Sequence, residues 1–284
     1  MRVTHTWTDE TATIGVEGLN QTVRMLHITD SHVALIDERD GVHVAACERH
    51  CQRMASRQGT FHKMMAEASQ LDLDLIALTG DIIHFPSQAS VENARNSIAQ
   101  VDVPVLYTAG NHDWHFPGLK GRDELRQAWW PTLKPLHHGR AAYARHEIGG
   151  IQFLLVDNST YQINAQQLEF VKTHLANGSP TVLLTHIPLS LPTLRHPTIE
   201  RWKAPILIGD PDWAIESRDR WGTGEDLPST LDFVHTLAGA VNLVAVFCGH
   251  IHFPHTDSIN PNAVQYVGAP GYDSKSRLVE FRPL

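Results

Sequence analysis

The stretch Thr108-Ala-Gly-Asn-His-Asp113 directly follows the apolar run Val103-Pro-Val-Leu-Tyr107. A short apolar run rich in β-branched and aromatic residues predicts a buried strand, and Gly110 predicts a turn at its end. The polar residues after the turn offer an amide oxygen, an imidazole and a carboxylate, groups that bind metal ions or move protons. The stretch therefore predicts a strand that ends at a functional site.

The same layout occurs at four other places in the chain. Strands are predicted at 23–29, 73–78, 181–185 and 243–247, and they end at Asp30-Ser-His32, Gly80-Asp81, His186 and Gly249-His-Ile-His252. Each motif alone is weak evidence, because polar residues often close strands. Together they predict one site, since the carboxyl ends of strands are where α/β proteins assemble their sites.

The candidate ligands combine oxygen and nitrogen donors: Asp30, His32, Asp81, Asn111, His186, His250 and His252. This set is too large for one tetrahedral zinc. It suits two ions that share Asp81 and hold a bridging hydroxide, at a separation of about 3.5–4 Å. Imidazole and carboxylate without thiolate favour Mn, Fe, Zn or Co over Cu(I), and the histidine content disfavours Mg and Ca.

Composition narrows the class of partner. The chain has 284 residues, of which 42% are hydrophobic and 19% charged, as in ordinary globular proteins. A net charge of −8 argues against a nucleic acid polymer as partner, because surfaces that follow a phosphate backbone are usually basic. A small phosphorylated substrate stays open, since bound metal ions supply positive charge locally.

The cysteines and the N-terminus indicate the compartment. The three cysteines, Cys47, Cys51 and Cys248, are an odd number, which argues against a disulfide framework. The N-terminus lacks the apolar stretch of a signal peptide, and no run has the length of a membrane span. We therefore expect a cytoplasmic protein with no membrane partner.

Strands and helices alternate early in the chain, and Gly149-Gly150 then predicts a hairpin between 141–148 and 151–156. This order predicts an α/β fold with mixed sheets. We expect one domain over 1–284, with insertions at about 33–47 and 187–228. The second insertion is rich in Pro, Gly and Trp, and we expect an irregular lid or a contact between subunits of a homo-oligomer. The remaining predicted elements are an edge strand or hairpin within 1–22, helices at 48–70, 88–100, 122–130, 165–176 and from Ser229 to 239, and strands near 254–259, 263–268 and 277–282.

The order Asp-x-His, Gly-Asp, Gly-Asn-His-Asp, His, Gly-His-x-His resembles that of the calcineurin-like metallophosphoesterases, and the resemblance covers about residues 23–282. It implies a four-layer α/β/β/α sandwich with a dinuclear metal site at the carboxyl ends of the strands. It also implies how the ligands divide. Asp30, His32, Asp81 and His252 would hold one ion, and Asp81, Asn111, His186 and His250 the other.

The resemblance further implies roles for the two residues after Asn111. His112 would be the catalytic histidine, which protonates the leaving oxygen or stabilises charge on the phosphate, and Asp113 would orient His112 through its second nitrogen. The protein phosphatases of this superfamily have Asp-Arg-Gly in the second motif and Glu after the catalytic histidine. Here Gly80-Asp81 continues as Ile-Ile-His-Phe, and no residue matches the tyrosine ligand of purple acid phosphatases.

The chain thus looks like the small bacterial-type branch, which includes cyclic-nucleotide and other phosphodiesterases. We expect hydrolysis of a small phosphomonoester or phosphodiester; a nuclease and a non-catalytic protein-binding scaffold are the alternatives. The filled ligand positions argue against the scaffold. His84, Trp114 and His115 lie just past ligand-bearing turns, and we expect them to contact substrate, the alternative for each being local packing.

Overall fold

A computed structural model describes residues 1–119, 123–137 and 142–284. In chain order, its strands are β1 Val3–Trp7, β2 Thr11–Val16, β3 Val23–Ile28, β4 Leu75–Thr79, β5 Val105–Thr108, β6 Tyr143–Ile148, β7 Ile151–Val156, β8 Thr181–Leu184, β9 Leu243–Cys248, β10 His255–Ser258, β11 Val264–Val267 and β12 Arg277–Pro283. Its helices are α1 Val44–Met54, α2 Thr60–Ala68, α3 Gln88–Ile98, α4 Asp123–Leu133, α5 Ala165–Leu175, α6 Pro192–Trp202, α7 Ile215–Arg218 and α8 Pro228–Gly239.

The strands form two six-stranded sheets. One has the order β1-β2-β12-β3-β4-β5 and the other β10-β11-β9-β8-β7-β6. In the first sheet β3, β4 and β5 are parallel neighbours, and in the second β7, β8 and β9 are parallel neighbours. Antiparallel pairs such as β1 with β2 and β6 with β7 complete the sheets. The prediction of an α/β fold with mixed sheets is confirmed.

Three apolar layers hold the sheets and helices together. Between the sheets, Phe153, Phe247 and Phe281 are fully buried in one continuous cluster. Helices α2 and α3 cover the outer face of the first sheet, and α5 and α8 cover that of the second. Each helix buries one apolar stripe, as residues three and four apart on a helix share a face. The four-layer α/β/β/α sandwich is confirmed.

The helical region after β3 differs from its prediction. Helix α1 begins at Val44, inside the predicted insertion 33–47. The continuous helix predicted over 48–70 is divided into α1 and α2 by a 3-10 turn at Ala55–Arg57. Polar residues dominate around this break, so the helical period alone could not reveal the change of direction.

The stretch 187–228 is not irregular throughout, as was predicted. It contains α6 and α7, and it buries Leu194, Ile206 and Trp213 in the apolar cluster on the outer face of the second sheet. Pro192 opens α6, a position that proline suits, but Pro197 lies inside the helix, where proline usually breaks one. The proline content therefore made the sequence look like loop.

Smaller differences concern the ends of elements. Helix α8 begins at Pro228, so Ser229 is not its cap; the Ser229 hydroxyl donates to the Ile163 carbonyl instead, at 2.6 Å. The predicted beginnings of a helix at 122 and of a strand at 141 lie outside the described residues. Cys47 and Cys248 are buried, and no disulfide links the three cysteines, all of which are described. None of the helices in the described ranges is long and apolar enough to cross a bilayer.

Candidate metal centre

The five motif loops meet at one edge of the sandwich. They follow β3, β4 and β5, which are parallel to one another in one sheet, and β8 and β9, which are parallel to each other in the other, so the carboxyl ends within each sheet lie together. The Asp30 amide donates to the Gly80 carbonyl at 3.0 Å, and the Gly249 amide donates to the His186 carbonyl at 2.9 Å. The two sheets are joined at the same point, because the His250 amide donates to the Asp30 carboxylate at 3.0 Å.

The first group of side chains that could hold an ion is formed by Asp30, His32, Asp81 and His252, whose ligand atoms lie within 4.8 Å of one another. His32 Nε2 is 3.6 Å from Asp81 Oδ2, and His252 Nε2 is 3.2 Å from Asp30 Oδ1. This is the set that the resemblance implied for one metal ion.

The second group contains Asp81, His186 and His250. His186 Nε2 lies 3.3 Å from Asp81 Oδ2, so Asp81 belongs to both groups. The buried Asn111 Oδ1 accepts no hydrogen bond from any residue in the described ranges. A buried polar atom without a partner costs free energy, and a bound cation would satisfy the Asn111 oxygen and the imidazole lone pairs together. The donor set therefore fits two transition-metal ions that share Asp81.

The backbone at the ligands is strained. Asp30, His32, Asp81, His250 and His252 all have positive φ, between 46° and 73°. A residue other than glycine in this region costs on the order of 1–3 kcal/mol, and such residues persist where the surrounding structure holds them for function. Here the strain is concentrated on five of the seven predicted metal ligands.

At two motif glycines there is no space for a side chain. A Cβ at Gly110 would lie 2.2 Å from Asp81 Oδ1, and a Cβ at Gly249 would lie 2.3 Å from Asp30 Oδ2. Both distances are far below van der Waals contact. Any side chain at these positions would displace a carboxylate of the centre.

His186 is oriented by the backbone of the first sheet. Its Nδ1 donates to the Thr79 carbonyl at 2.8 Å, which leaves Nε2 to face Asp81. The loop itself is held by Asn158, whose Oδ1 accepts from the amides of His186 and Ile187 at 3.1 and 2.9 Å. Burial lowers the pKa of His186, but the Asp81 carboxylate outweighs burial and raises it to about 9.

Asn158 was not predicted to belong to the site, although the polar run Asp157-Asn-Ser159 follows β7 in the same way as the five motifs follow their strands. Neither was Tyr161, which has a positive φ of 64° and whose hydroxyl lies 3.0 Å from His250 Nε2. Nothing in the local sequence marks Tyr161 as a neighbour of the centre, because its contact depends on the packing of a loop.

His112 lies beside the ligand groups that contain Asp81. Its backbone amide donates to Asp81 Oδ1 at 2.8 Å, while its ring stacks on His84 with ring centres 4.6 Å apart. Burial lowers the pKa of His112, and the Asp81 carboxylate opposes this effect. The half-buried ring lines a cavity of about 360 Å³. This position suits a residue that acts on a substrate held at the metal centre.

Asp113 makes contacts other than those that the resemblance implied. Its carboxylate accepts hydrogen bonds from the amides of Gly110, Asp81 and Ile83 at 2.7, 2.8 and 2.9 Å. Burial and the nearby Asp81 raise its pKa to about 7. Among the hydrogen bonds between described residues, none joins Asp113 to the His112 ring. The orienting contact is therefore corrected: Asp113 ties the loop after β5 to the loop after β4.

The three residues predicted to contact substrate have different surroundings. His84 is 8% exposed and contacts His32 and His50. Trp114 is 1% exposed, and its Nε1 donates to the Ser159 hydroxyl at 2.9 Å. His115 is half-buried and lines the same cavity as His112. The contacts of His84 suit the packing alternative. Trp114 lines the same cavity as His112 and His115, so Trp114 and His115 keep their predicted role as a hypothesis.

The cavity beside His112 has walls from both parts of the chain. Asn111, His112 and His115 form one side, and Arg220 and Trp221 from the stretch 187–228 form another. The same stretch reaches the ligand loop of the second sheet, where Trp202 Nε1 donates to the Ile251 carbonyl at 2.9 Å. A second, polar cavity of about 510 Å³ adjoins the first through Thr160 and Gly222. Together the cavities provide room for a substituent on a phosphate.

Comparison with known proteins agrees with this centre. The profile of the calcineurin-like phosphoesterase family matches residues 23–254, which include every predicted ligand. The chain belongs to the calcineurin-like phosphoesterases. Members of this family use dinuclear metal centres, so the cluster around Asp81 is the expected place for the metals, and the protein is a metal-dependent phosphoesterase.

Two relatives of this calcineurin-like phosphoesterase are each 23% identical to it over the aligned residues. One, from Fibrobacter succinogenes, is named a probable cyclic nucleotide phosphodiesterase and aligns over 235 residues, 83% of this chain and 79% of that protein. The other, from Moraxella catarrhalis, has the same name and aligns over 264 residues, 88% of this chain and 82% of that protein.

Solved structures of phosphatases have a similar fold. A purple acid phosphatase from yellow lupin superimposes with a TM-score of 0.55 at 15% identity, covering 92% of this chain. This chain spans 46% of the lupin protein, less than half its length. A dimetal phosphatase from Danio rerio superimposes with a TM-score of 0.52 at 10% identity and covers 89% of both chains. At these identities the similarity shows the fold alone.

Proposed function

We propose that this calcineurin-like phosphoesterase hydrolyses a small phosphodiester and that His112 gives a proton to the leaving oxygen. The observation that carries the proposal is the position of His112. Its ring lines a cavity next to the ligand groups that share Asp81, and its backbone amide donates a hydrogen bond to the Asp81 carboxylate. A phosphate held at the centre would thus have an imidazole beside one of its ester oxygens.

The chemistry divides between the ions and the chain. When bound, the ions, which we expect to be Mn, Fe or Zn, supply an activated water and neutralise charge on the phosphoryl oxygens. The ligand side chains hold them, while His112 donates through its ring N–H toward the leaving oxygen. The donor is the protonated form of His112. Water contributes OH to phosphorus as the bond to the leaving oxygen breaks; the leaving oxygen takes the proton of the imidazolium, and the proton released by the water restores it. Proton transfer of this kind contributes about 10²–10⁴-fold to rate.

The cavity has room for an organic ester group, and the names of two relatives favour a diester over a monoester. The cavity volume of about 360 Å³ is at the lower end of the range for small-ligand sites, larger than phosphate alone requires. Trp221 and His115 offer ring surfaces and Arg220 offers a positive charge in the wall. These groups suit an organic substituent carried by the phosphate. Because two relatives are named probable cyclic nucleotide phosphodiesterases, cyclic nucleotides are the first substrates to test.

A comparison of two chromogenic substrates tests the proposal. Metal-free protein is supplied in turn with Mn, Fe, Zn and Co and assayed on bis(p-nitrophenyl) phosphate and on p-nitrophenyl phosphate. We expect kcat/KM for the diester to exceed that for the monoester by at least tenfold with one of the first three metals. Preference for the monoester with every metal would overturn the diester assignment, and inactivity on both would overturn the proposed function.

A further inference from the structure

A row of three histidines runs from the metal centre to the surface of α1. His32 Nδ1 lies 2.9 Å from His84 Nδ1, and His84 Nε2 lies 3.0 Å from His50 Nδ1. The row ends at Arg53, whose Nη2 donates to the same His50 Nδ1 at 2.8 Å. His32 and His84 are buried, His50 is half-buried and Arg53 is exposed. Each of these contacts has hydrogen-bond length, so each needs one donor and one acceptor.

The inner end of the row requires one tautomer of His32. His32 presents Nε2 to the centre, 3.6 Å from Asp81 Oδ2. A neutral imidazole binds a metal through the nitrogen that carries no hydrogen, so His32 must carry its hydrogen on Nδ1. Nδ1 of His32 then donates to Nδ1 of His84. A neutral His84 consequently carries its own hydrogen on Nε2 and donates it to His50.

The outer end of the row independently requires the same direction of donation, from His32 through His84 to His50. A guanidinium group has N–H donors and no acceptor, so Arg53 forces His50 Nδ1 to accept. The N–H groups of Arg53 and His84 then share the single lone pair of that nitrogen. If the row ran the other way, His50 Nδ1 would carry a hydrogen and point it at the Arg53 donor. The reversed row would also put a hydrogen on His32 Nε2, where the metal must bind.

We propose that His84, His50 and Arg53 are positioning residues that fix the tautomer of the metal ligand His32. Arg53 sets the direction of the row, and the two histidines transmit it to the centre. The outer partners of metal-binding histidines fix ring orientation and tautomer, and their loss typically costs about 10–100-fold in metal affinity. This proposal rests on the metal centre assigned above, though not on the identity of its substrate.

The structure offers one competing use of the same residues. Ligand atoms of His32, His84 and His112 lie within 4.8 Å of one another and could hold an ion themselves. In that case His84 would be a ligand and could not accept from His32 with the same nitrogen. Counting bound ions separates the two arrangements, because the row requires two ions per chain and the competing group would add a third.

The first measurement reads the tautomer directly in the protein without metal. Long-range ¹H–¹⁵N spectra of histidine-labelled protein distinguish the two tautomers, and His32→Gln assigns the signal. We expect wild type to carry the His32 hydrogen on Nδ1. Arg53→Met, which keeps most of the side chain and removes the donors, should populate both tautomers. Arg53→Lys retains a group that donates hydrogen bonds and cannot accept them, so this variant should show the wild-type tautomer. A hydrogen on Nε2 of wild-type His32 would overturn the proposal.

The second measurement is the affinity for Mn²⁺ alone, without substrate. Arg53→Met should weaken it by about three- to tenfold and His50→Phe by about tenfold, at or below the lower end of the usual effect because both residues are remote from the ion. Arg49→Met is the matched control, since Arg49 is an exposed arginine on the same helix with the same charge. It should change affinity less than twofold. Equal affinities for Arg53→Met and Arg49→Met would overturn the proposal, as would three bound ions per chain.

The two readouts separate this proposal from the proposed function. If wild type bound Mn²⁺ but hydrolysed neither chromogenic ester, the proposed function would fail while the row could still be measured. If the His32 tautomer did not respond to Arg53, the row would fail whatever the activity. We expect the His32 tautomer and the Mn²⁺ affinity to change together in Arg53→Met and in His50→Phe. Neither should change in Arg53→Lys or in Arg49→Met.

Discussion

Asn111, His112 and Asp113 are adjacent in the sequence, yet their side chains have three different surroundings. The Asn111 oxygen is buried and accepts no hydrogen bond from a described residue, the His112 ring lines the cavity, and the Asp113 carboxylate accepts three backbone hydrogen bonds. The turn after β5 sends successive side chains in different directions. Three consecutive residues can thus bind a metal, act on a substrate and hold two loops together.

Substitution of His112 tests its proposed role. His112→Ala should lower kcat by about 10²–10⁴-fold on a diester with an alkyl leaving group, because that oxygen needs a proton. The loss should be smaller on bis(p-nitrophenyl) phosphate, since p-nitrophenolate leaves without one. Both rates are measured at equal metal content, which should match wild type. Full activity of His112→Ala on the alkyl ester would contradict the proposed role.

Substitution of Asp113 tests the corrected contact. In Asp113→Asn the amide group turns a donor toward at least one backbone N–H, so the free energy of unfolding should fall by about 1–3 kcal/mol. Urea unfolding of the protein without metal measures this change. Asp102→Asn, at an exposed aspartate, is the control and should unfold like wild type. An Asp113→Asn protein of wild-type stability with a reduced kcat would support the orienting role instead.

The local sequence predicted the candidate ligands that the structure brings together, because each follows a strand at once and has a characteristic chemistry. It could not predict the partners of Asp113, because those depend on the distance between the loops after β4 and β5. The same limit applies to Tyr161 and His50, which reach the centre only through packing. His84 was noticed for its position after Asp81, but its neighbours were not visible from the sequence.

At the scale of elements, the strands were predicted well and the helices less well. The strands that carry ligands are short, apolar and followed by glycine or polar residues, so local pattern defines them. Helix α6 was missed because Pro197 lies within it, and its stability comes from burying Leu194 against the second sheet. The break between α1 and α2 was missed because it reflects how the helices pack.

The loop after β9 gives a prediction at this scale. Gly249→Ala places a methyl group 1.9 Å from Thr29 Oγ1 and 2.3 Å from Asp30 Oδ2, so Asp30 must move. We expect the bound metal to fall from two ions per chain to one or none. Gly239→Ala is the control, because a Cβ there meets no atom within 4 Å. Metal analysis after dialysis measures both, and two ions in Gly249→Ala would contradict the steric argument.

At the scale of the whole molecule, one apolar cluster joins the two sheets. Phe153 and Phe247 from the second sheet pack against Phe281 from the first, so neither sheet keeps its inner face covered without the other. The stretch 187–228 directs Trp213 inward and supplies Arg220 and Trp221 to the cavity. A subunit contact through its remaining surface stays a prediction, which sedimentation velocity can test.

The shared cluster leads to a prediction about cooperativity. We predict that the metal-free protein unfolds in one calorimetric transition, as expected if residues 1–284 form a single domain. The calorimetric and van't Hoff enthalpies should then agree. Bound Mn²⁺ should raise the transition temperature without dividing it, because an ion that binds only the folded state stabilises it as a whole. Two separate transitions in the metal-free protein would contradict the single domain.

The ligand groups predict a centre of two metal ions that share Asp81. Its most direct test is the number of ions bound per chain, measured by elemental analysis after the metal-free protein is loaded with Mn²⁺ and dialysed. The ligand groups predict two ions in wild type, and at most one in Asp81→Asn, which loses the carboxylate common to both groups. One ion or none in wild type would contradict a centre of two ions, and two ions in Asp81→Asn would contradict the sharing of Asp81.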